Sequence, residues 1–491
     1  LKAGTASHGW VSVRVSNGNI AYAMIDFSAG TSTHGSYGSV TNPSSTVTAL
    51  GSDWYRLTLT ATVSSPLLLA FMGISDGTAV QSDGYETGWN STGQTMYAWG
   101  IQLSSVNSLV YDSPTTTQIS REYSPLLKTA SADEPRFEYA ADGQSVAKGL
   151  LIESSASNLL PYGHNGYNSS NNFSMTLVDL IASQNAAVSP SGLLDATLLT
   201  DTGGLTQHRI DTTVSGLDSS KKYTLSGYFK ATGTTTGLSL RIASGNTNGA
   251  EFNFSTGYVS AYGVAPQSYT FEQVGNGWVR VSITAPLGNS TATLRINTGR
   301  GDVQADDYSG MLFYGLQFEE GSAPSSVIQT NGSAVTRAAD SCSVDSATLF
   351  DNGGGTLYAE ARRNGIDTYN GIASVDDGTG SGDIVQIFGN STNFRAEIAS
   401  GGTTVANIMA SGHSAGVYYK HCVSFSSSAA KYYVDGSQKG STDTDLNIPS
   451  MSQMHFGMLN AATSGNLNGH IKRVALYNVA LSDTELAALT S

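Results

Sequence analysis

Apolar residues recur at every second position in short runs along this chain, the period of strands half-buried on a sheet. Residues 311–318 (Met-Leu-Phe-Tyr-Gly-Leu-Gln-Phe) show it most fully. Strict alternation puts Leu312, Tyr314, Leu316 and Phe318 on one face, and Met311, Phe313, Gly315 and Gln317 on the other. That predicts a strand with one strongly buried side and a small or polar opposite side. Residues 96–103 (Met-Tyr-Ala-Trp-Gly-Ile-Gln-Leu) share the register, with Tyr97, Trp99, Ile101 and Leu103 together. Two copies of one closing strand imply two copies of one domain.

Other segments align in the same order. Val11, Val13 and Val15 match Leu238, Leu240 and Ile242, and Asp26-Phe-Ser-Ala-Gly30 matches Asn253-Phe-Ser-Thr-Gly257. Trp54-Tyr-Arg-Leu-Thr-Leu-Thr60 matches Trp278-Val-Arg-Val-Ser-Ile-Thr284. Residues 149–228 have no counterpart upstream, so the first repeat reads as N-terminally incomplete. A sheet lacking those strands would keep open edges, which natural β proteins avoid.

The resulting division is a first repeat at 1–124, a packed junction at 125–163, a second repeat at 164–330, a linker at 331–344 and a last domain at 345–491. The junction is too apolar for a floppy linker. After Asp340 the runs shorten and turns such as Asp377-Gly378 and Asp435-Gly436 separate them, which predicts another sandwich. One helix is expected, at the very end, where Ser482-Asp-Thr-Glu485 is a capping box flanked by Leu481 and Leu486. The fold class is therefore all-β, and the segments 150–330 and 345–491 are each expected to fold alone.

Composition narrows the partners. With 24 basic against 38 acidic residues the net charge is −14 and no basic cluster stands out, which disfavours nucleic acid and anionic membranes. No apolar run approaches the roughly 20 residues of a membrane span. Two cysteines, Cys342 and Cys422, exclude a disulfide framework and leave either two buried thiols or one bridge.

Three stretches carry family resemblances. Gly315-Leu-Gln-Phe-Glu-Glu-Gly-Ser322 with Thr336-Arg-Ala-Ala-Asp340, and Arg136-Phe-Glu-Tyr139 with Gly149-Leu-Leu-Ile-Glu153 and Asn158-Leu-Leu160, resemble a module of tailed-phage and prophage virion proteins. The repeat itself is similar to the jelly-roll carbohydrate-binding modules found beside bacterial xylanases and cellulases, through Trp278-Val-Arg-Val-Ser282 and Phe252-Asn-Phe-Ser-Thr-Gly257. Residues 345–491 resemble the laminin-G/concanavalin A-like lectin domain, through Lys431-Tyr-Tyr-Val-Asp-Gly436, His455-Phe-Gly457 and Gly469-His-Ile-Lys-Arg-Val-Ala-Leu-Tyr477. These resemblances imply two jelly rolls followed by a lectin-like sandwich, and carbohydrate as the ligand.

Candidate binding residues come from two patterns. Trp54 with Arg56, and Trp278 with Arg280, share a strand face in each repeat. They read either as sugar-stacking platforms or as framework pairs with Arg laid on an aromatic ring. The first repeat also has nine more residues between its Trp and the Gly of its closing strand, a loop that holds Tyr85, Glu86, Trp89 and Asn90. Loop aromatics beside polar side chains suit sugar recognition. Asp302, Asp306 and Asp307, and Asp376, Asp377 and Asp383, offer hard oxygen ligands for a structural Ca²⁺, though not at the EF-hand spacing. His455 and His470 read as packed residues. No carboxylate pair, nucleophile elbow, zinc-protease helix or phosphate loop is spelled out, and Glu319 and Glu320 are adjacent and so face opposite ways. The expectation is a non-enzymatic virion protein of the tail-fibre type that binds host glycans beside other virion proteins, as a homo-oligomer such as a trimer. The alternatives are an accessory region of a secreted polysaccharide-degrading enzyme and a purely structural virion component.

Overall fold

The computed structural model describes residues 1–3, 6–16, 19–51, 54–62, 69–75, 96–97, 110–112, 118–121, 127–131, 134–139, 147–168, 170, 174–203, 207–299, 310–345, 354–367, 369–378, 382–444, 446–448, 451–459 and 465–491. They fall into two compact units, Leu1–Ser104 and Ser105–Ser491. Strands and turns make up nearly all of both.

Among the described residues the first unit is a sandwich of two four-stranded sheets. One runs Thr41–Gly51, Trp54–Thr62, Lys2–Ala3, Met96–Tyr97, and the other Thr31–Tyr37, Asn19–Asp26, His8–Ser16, Leu69–Ser75. Every one of these strands has a counterpart, in the same sheet order, in the central sandwich of the second unit. There the first sheet reads Thr176–Val178, Arg209–Ser215, Thr291–Thr298, Gly237–Ser244, Asn246–Asn253, Gly257–Gly263. The second reads Leu180–Val188, Leu194–Asp201, Gly310–Glu320, Lys222–Thr232, Trp278–Pro286, Ser268–Gly275. Leu238, Leu240, Ile242, Leu294 and Ile296 from the first sheet meet Leu225, Phe229, Val281, Ile283 and Phe318 from the second in one apolar core. Each such side chain removed from water contributes roughly 1.5–3 kcal/mol.

The closing strand Gly310–Glu320 departs from strict alternation. Gly315 sits at φ +60°, and the pairing with Lys222–Thr232 shifts there by one residue. The bulge flips the faces, so Met311 and Phe313 share the core with Leu316 and Phe318, while Leu312 and Tyr314 point outward. The outward side is not left small or polar and open: Leu312, Tyr314, Gln317 and Glu319 are all buried.

The C-terminal sandwich reaches back across the central one. Its first sheet runs Phe137–Tyr139, Ala147–Ile152, Gly469–Tyr477, Gly354–Arg363, Tyr418–Ser426, Ala429–Val434, Ser437–Thr444. Its second runs Thr403–Ala410, Asn393–Ser400, Ile384–Asn390, Asn370–Asp376, Gln453–Phe456, Ser341–Asp345, Val110–Asp112. The expected junction and linker therefore supply strands to the two sheets. The central sandwich is an insertion between strands of the C-terminal one. This corrects the boundaries at 1–124, 125–163 and 331–344, and it makes 345–491 an incomplete sandwich by itself.

A buried ionic network holds the insertion. Arg136 donates to Glu153 Oε2 (2.6 Å), to Ser326 Oγ (2.9 Å) and to Asp340. Asp340 also accepts from the Glu153 amide at 2.8 Å, and Ser326 N and Oγ both donate to Glu153 at 2.7 Å. Arg337 donates to the Ser154 carbonyl at 2.7 Å and approaches Glu153 at 3.6 Å. Burial alone would raise the Glu153 carboxyl, but Arg337, Arg136 and the Ser326 bond bring it down to about 2. Asn158 adds a second knot, donating to the carbonyls of Leu316 and Ile328 and accepting from the amides of Leu160 and Phe318. The residues that resemble a virion module are the residues of this joint.

The C-terminal helix Asp483–Thr490 begins as the sequence implies, with Glu485 accepting from the Ser482 amide (2.8 Å) and hydroxyl (2.6 Å). Cys342 and Cys422 are separate buried thiols, each pushed up to about 12 by burial. Among the described residues no helix is long and apolar enough to cross a membrane.

Candidate binding face

Two outer faces of the central sandwich have opposite fates. On the first sheet, the residues between the core positions project away from the core. Cross-strand register sets Tyr262, Gly249, Arg241, Arg295 and Asp211 in one row over five strands. Ser260, Glu251, Ser239, Asn297 and Arg209 form the next row. The Arg241 guanidinium lies 3.4 Å from the centroid of the Tyr262 ring. Gly249 leaves the lane between them, since a Cβ there would come within 3.1 Å of Arg241 Cγ and 3.0 Å of the Leu240 carbonyl. Arg295 grips Asp211 through Nε (2.8 Å) and Nη2 (3.2 Å), and Arg209 Nε reaches the same carboxylate at 2.9 Å. Ser260 donates to Glu251 at 3.0 Å.

The rows form a shallow polar groove. Arg209, Asp211 and Arg295 keep 21, 18 and 28% of their side-chain surface exposed, while Ser239, Arg241 and Asn297 form a buried floor. Ser239 is fully buried and its hydroxyl has no hydrogen-bond partner. An aromatic ring at one edge, with guanidinium, carboxylate and hydroxyl groups beside it, can stack on the apolar face of a sugar and bond its hydroxyls. None of these side chains stands out in the sequence. The available signal was the off-face of Leu238-Ser-Leu-Arg-Ile242 and Leu294-Arg-Ile-Asn297, where polar groups alternate with core residues.

The second sheet's outer face is used internally. Trp278 is 3% exposed and packs with Tyr228, Leu312, Tyr314, Val327 and Leu127. Arg280 lies 5.2 Å over the Tyr228 ring and donates to the Ser325 carbonyl. Glu319 is buried and accepts from the Ser325 amide (2.9 Å) and hydroxyl (2.6 Å), and burial raises its carboxyl despite those bonds. The expectation of a sugar platform at Trp278 and Arg280 is therefore corrected. The segment beyond the closing strand folds over the pair and leaves it no face for a ligand. In the first repeat Arg56 is exposed on Trp54–Thr62, and the Trp54 side chain lies outside the described residues. Tyr85, Glu86, Trp89 and Asn90 lie outside them as well.

The acidic candidates fall into two groups. Asp302, Asp306 and Asp307 fall outside the described residues. Asp376 is buried, 3.1 Å from His455 Nε2, and accepts the Gly378 amide at 2.9 Å. Asp383 accepts the Gly401 amide at 2.7 Å, and the Asp377 amide donates to the Asp383 carbonyl. These contacts close turns and pair a histidine. Among the described residues no three His, Cys, Asp or Glu side chains are placed to hold a metal ion. His470 is likewise packed, 2.8 Å from Glu138.

A family comparison bears on the C-terminal sandwich. Residues 336–487 match the family model described as the concanavalin A-like lectin/glucanases superfamily. Among solved structures, the CBM40 of Ruminococcus gnavus IT-sialidase bound to α2,3 sialyllactose is similar at TM-score 0.26 and 16% identity, over 28% of this chain and 83% of that one. The NanB sialidase of Streptococcus pneumoniae gives TM-score 0.26 and 18% identity over 30% of this chain and 26% of its own. Domains LG4-5 of the mouse laminin α1 chain give TM-score 0.21 and 10% identity over 70 and 95%. No curated protein matches the chain. Residues 336–487 are thus a concanavalin A-like lectin/glucanase domain, completed in this chain by strands that precede the inserted jelly roll.

Proposed function

We propose that this chain is a non-enzymatic glycan-binding protein of a virion surface, of the tail-fibre type, which engages host polysaccharide through the groove on the central sandwich. The observation that carries the binding reading is the row Tyr262–Arg241–Arg295–Asp211, an aromatic and hydrogen-bonding strip over five strands on the sheet not used by the joint. The virion assignment is supported by the resemblance of residues 136–160 and 315–340 to phage and prophage proteins. Such a groove binds weakly per site, and an oligomer on a particle would strengthen it through copy number. An accessory region of a secreted polysaccharide-degrading enzyme could use the same groove.

The test is a polysaccharide array probed with the intact chain, beside its Tyr262→Ala and Arg295→Ala variants. Binding to at least one polysaccharide is expected, about tenfold weaker in each variant, as the loss of roughly 1.4 kcal/mol of stacking or bonding implies. Retention of nothing by the folded chain, or undiminished binding by both variants, would sink the reading.

A further inference from the structure

One end of the C-terminal sandwich breaks the apolar rule of its own core. Leu357, Ala359 and Ala361 line the inner face of Gly354–Arg363, and Arg363 continues that series at 1% exposure. Its guanidinium lies 4.5 Å from the centroid of the Phe394 ring, and its Nη1 donates to the Ser391 carbonyl at 2.8 Å. Gly389 makes the room, because a Cβ there would collide with the guanidinium. His413, His421 and Tyr419 surround the same Phe394 ring at centroid distances of 4.4, 4.5 and 5.3 Å. His421 Nδ1 lies 2.9 Å from the Tyr432 hydroxyl.

Several nitrogens of this cluster end in nothing. Arg363 Nε and Nη2, His421 Nε2 and His413 Nδ1 have no hydrogen-bond partner. Nε and Nη2 form the edge through which arginine grips an anion with two parallel bonds. A guanidinium stays charged in any protein, and burying a charge without a counter-charge costs several kcal/mol. Asp367 acts on Arg363 only at longer range, without an ion pair, and burial is the larger influence, lowering the guanidinium's pKa. Burial, with His413 and Arg363 nearby, pushes His421 down to about 3, so its ring is neutral at ordinary pH. In the tautomer whose Nδ1 accepts the Tyr432 hydroxyl, the ring's proton sits on Nε2. Three N–H donors and a fixed positive charge, gathered around the one Phe394 ring, then lack an acceptor.

We propose that this end of the sandwich holds a buried halide ion, gripped by Arg363 Nε–H and Nη2–H and by His421 Nε2–H, with His413 at its edge. The crowding of rings around Phe394 favours a monatomic anion over a sulfate or a carboxylate. The site lies inside the lectin-like domain and is independent of the glycan reading.

Two measurements on the intact chain decide it. Thermal unfolding is monitored in sodium chloride and in sodium gluconate at equal ionic strength. Chloride should raise Tm saturably by about 2–4 °C, the shift that roughly 1 kcal/mol of linked binding gives in a domain of this size. Arg363→Met should abolish the difference between the two salts. Crystals grown in sodium bromide should show an anomalous peak beside Arg363 and His421, which keeps the question answerable if the variant does not fold. Equal Tm in both salts, or a bromide crystal with only water-like density beside Arg363, overturns the proposal.

Discussion

The two outer faces of the central sandwich carry the same pair of residues and use it differently. Arg241 on Tyr262 sits on the first sheet, and Arg280 on Tyr228 on the second. The second pair is sealed by Ser325 and by the packing of Trp278 with Val327. The first borders a groove with partly exposed charged walls. An arginine laid on a ring is therefore no signature of a ligand by itself. The chain beyond the closing strand makes the difference, because residues 322–330 claim one face and leave the other.

The sharpest way to break this contrast is to remove the insertion's supports. The segment 345–491 alone lacks Phe137–Tyr139, Ala147–Ile152 and most of Ser341–Asp345. It should give no cooperative unfolding transition by circular dichroism, whereas residues 105–491 together should. Next in size, Trp278→Ala should cost about 3–5 kcal/mol of stability in urea denaturation, because its pocket cannot collapse around the missing ring. A ΔΔG under about 1 kcal/mol would return Trp278 to the candidate ligand contacts. Glu153→Ala should cost about as much, since it leaves Arg136 buried beside one fewer carboxylate.

The same carboxylate sets a pH window. Its pKa falls from 4.5 to about 2 on folding, so its contribution, on the order of 3 kcal/mol, is present above pH 4.5. It should be lost as pH falls through the window from 4.5 to about 2. Glu153→Gln should flatten the acid limb of a stability–pH curve, and a limb unchanged in slope would remove Glu153 as its cause. The smallest expected effect on stability is at Tyr262→Ala, within about 1 kcal/mol, with its consequence confined to glycan retention. A Tyr262→Ala chain that unfolds as easily as Trp278→Ala would erase the distinction between the two faces.

Much of this architecture is legible in the amino-acid order alone. The matches of 11–15 with 238–242, 54–60 with 278–284 and 96–103 with 311–318 pair several strands of the two jelly rolls, and Ser482 with Glu485 marks the helix start. Three things are hidden. A single glycine at 315 reverses inside and outside, which period-two reading cannot register. Strands at 137–152 read as a packed junction because their partners at 469–477 lie more than 300 residues away. The groove escapes notice because its residues are ordinary polar positions in sequence, and only the pairing of five strands lines them up.

The insertion also has a mechanical meaning. Ala156–Asn158 enters the central sandwich and Val335–Arg337 leaves it, and the two are paired side by side as one short ladder. A pull exerted on a polymer held in the groove would reach the C-terminal sandwich through both strands at once. The load would be shared by the two strands and the Arg136–Glu153–Asp340 cluster behind them rather than stretch a single tether. A module mounted in this way is tied at two points rather than one, so it would follow the C-terminal sandwich instead of swinging from it.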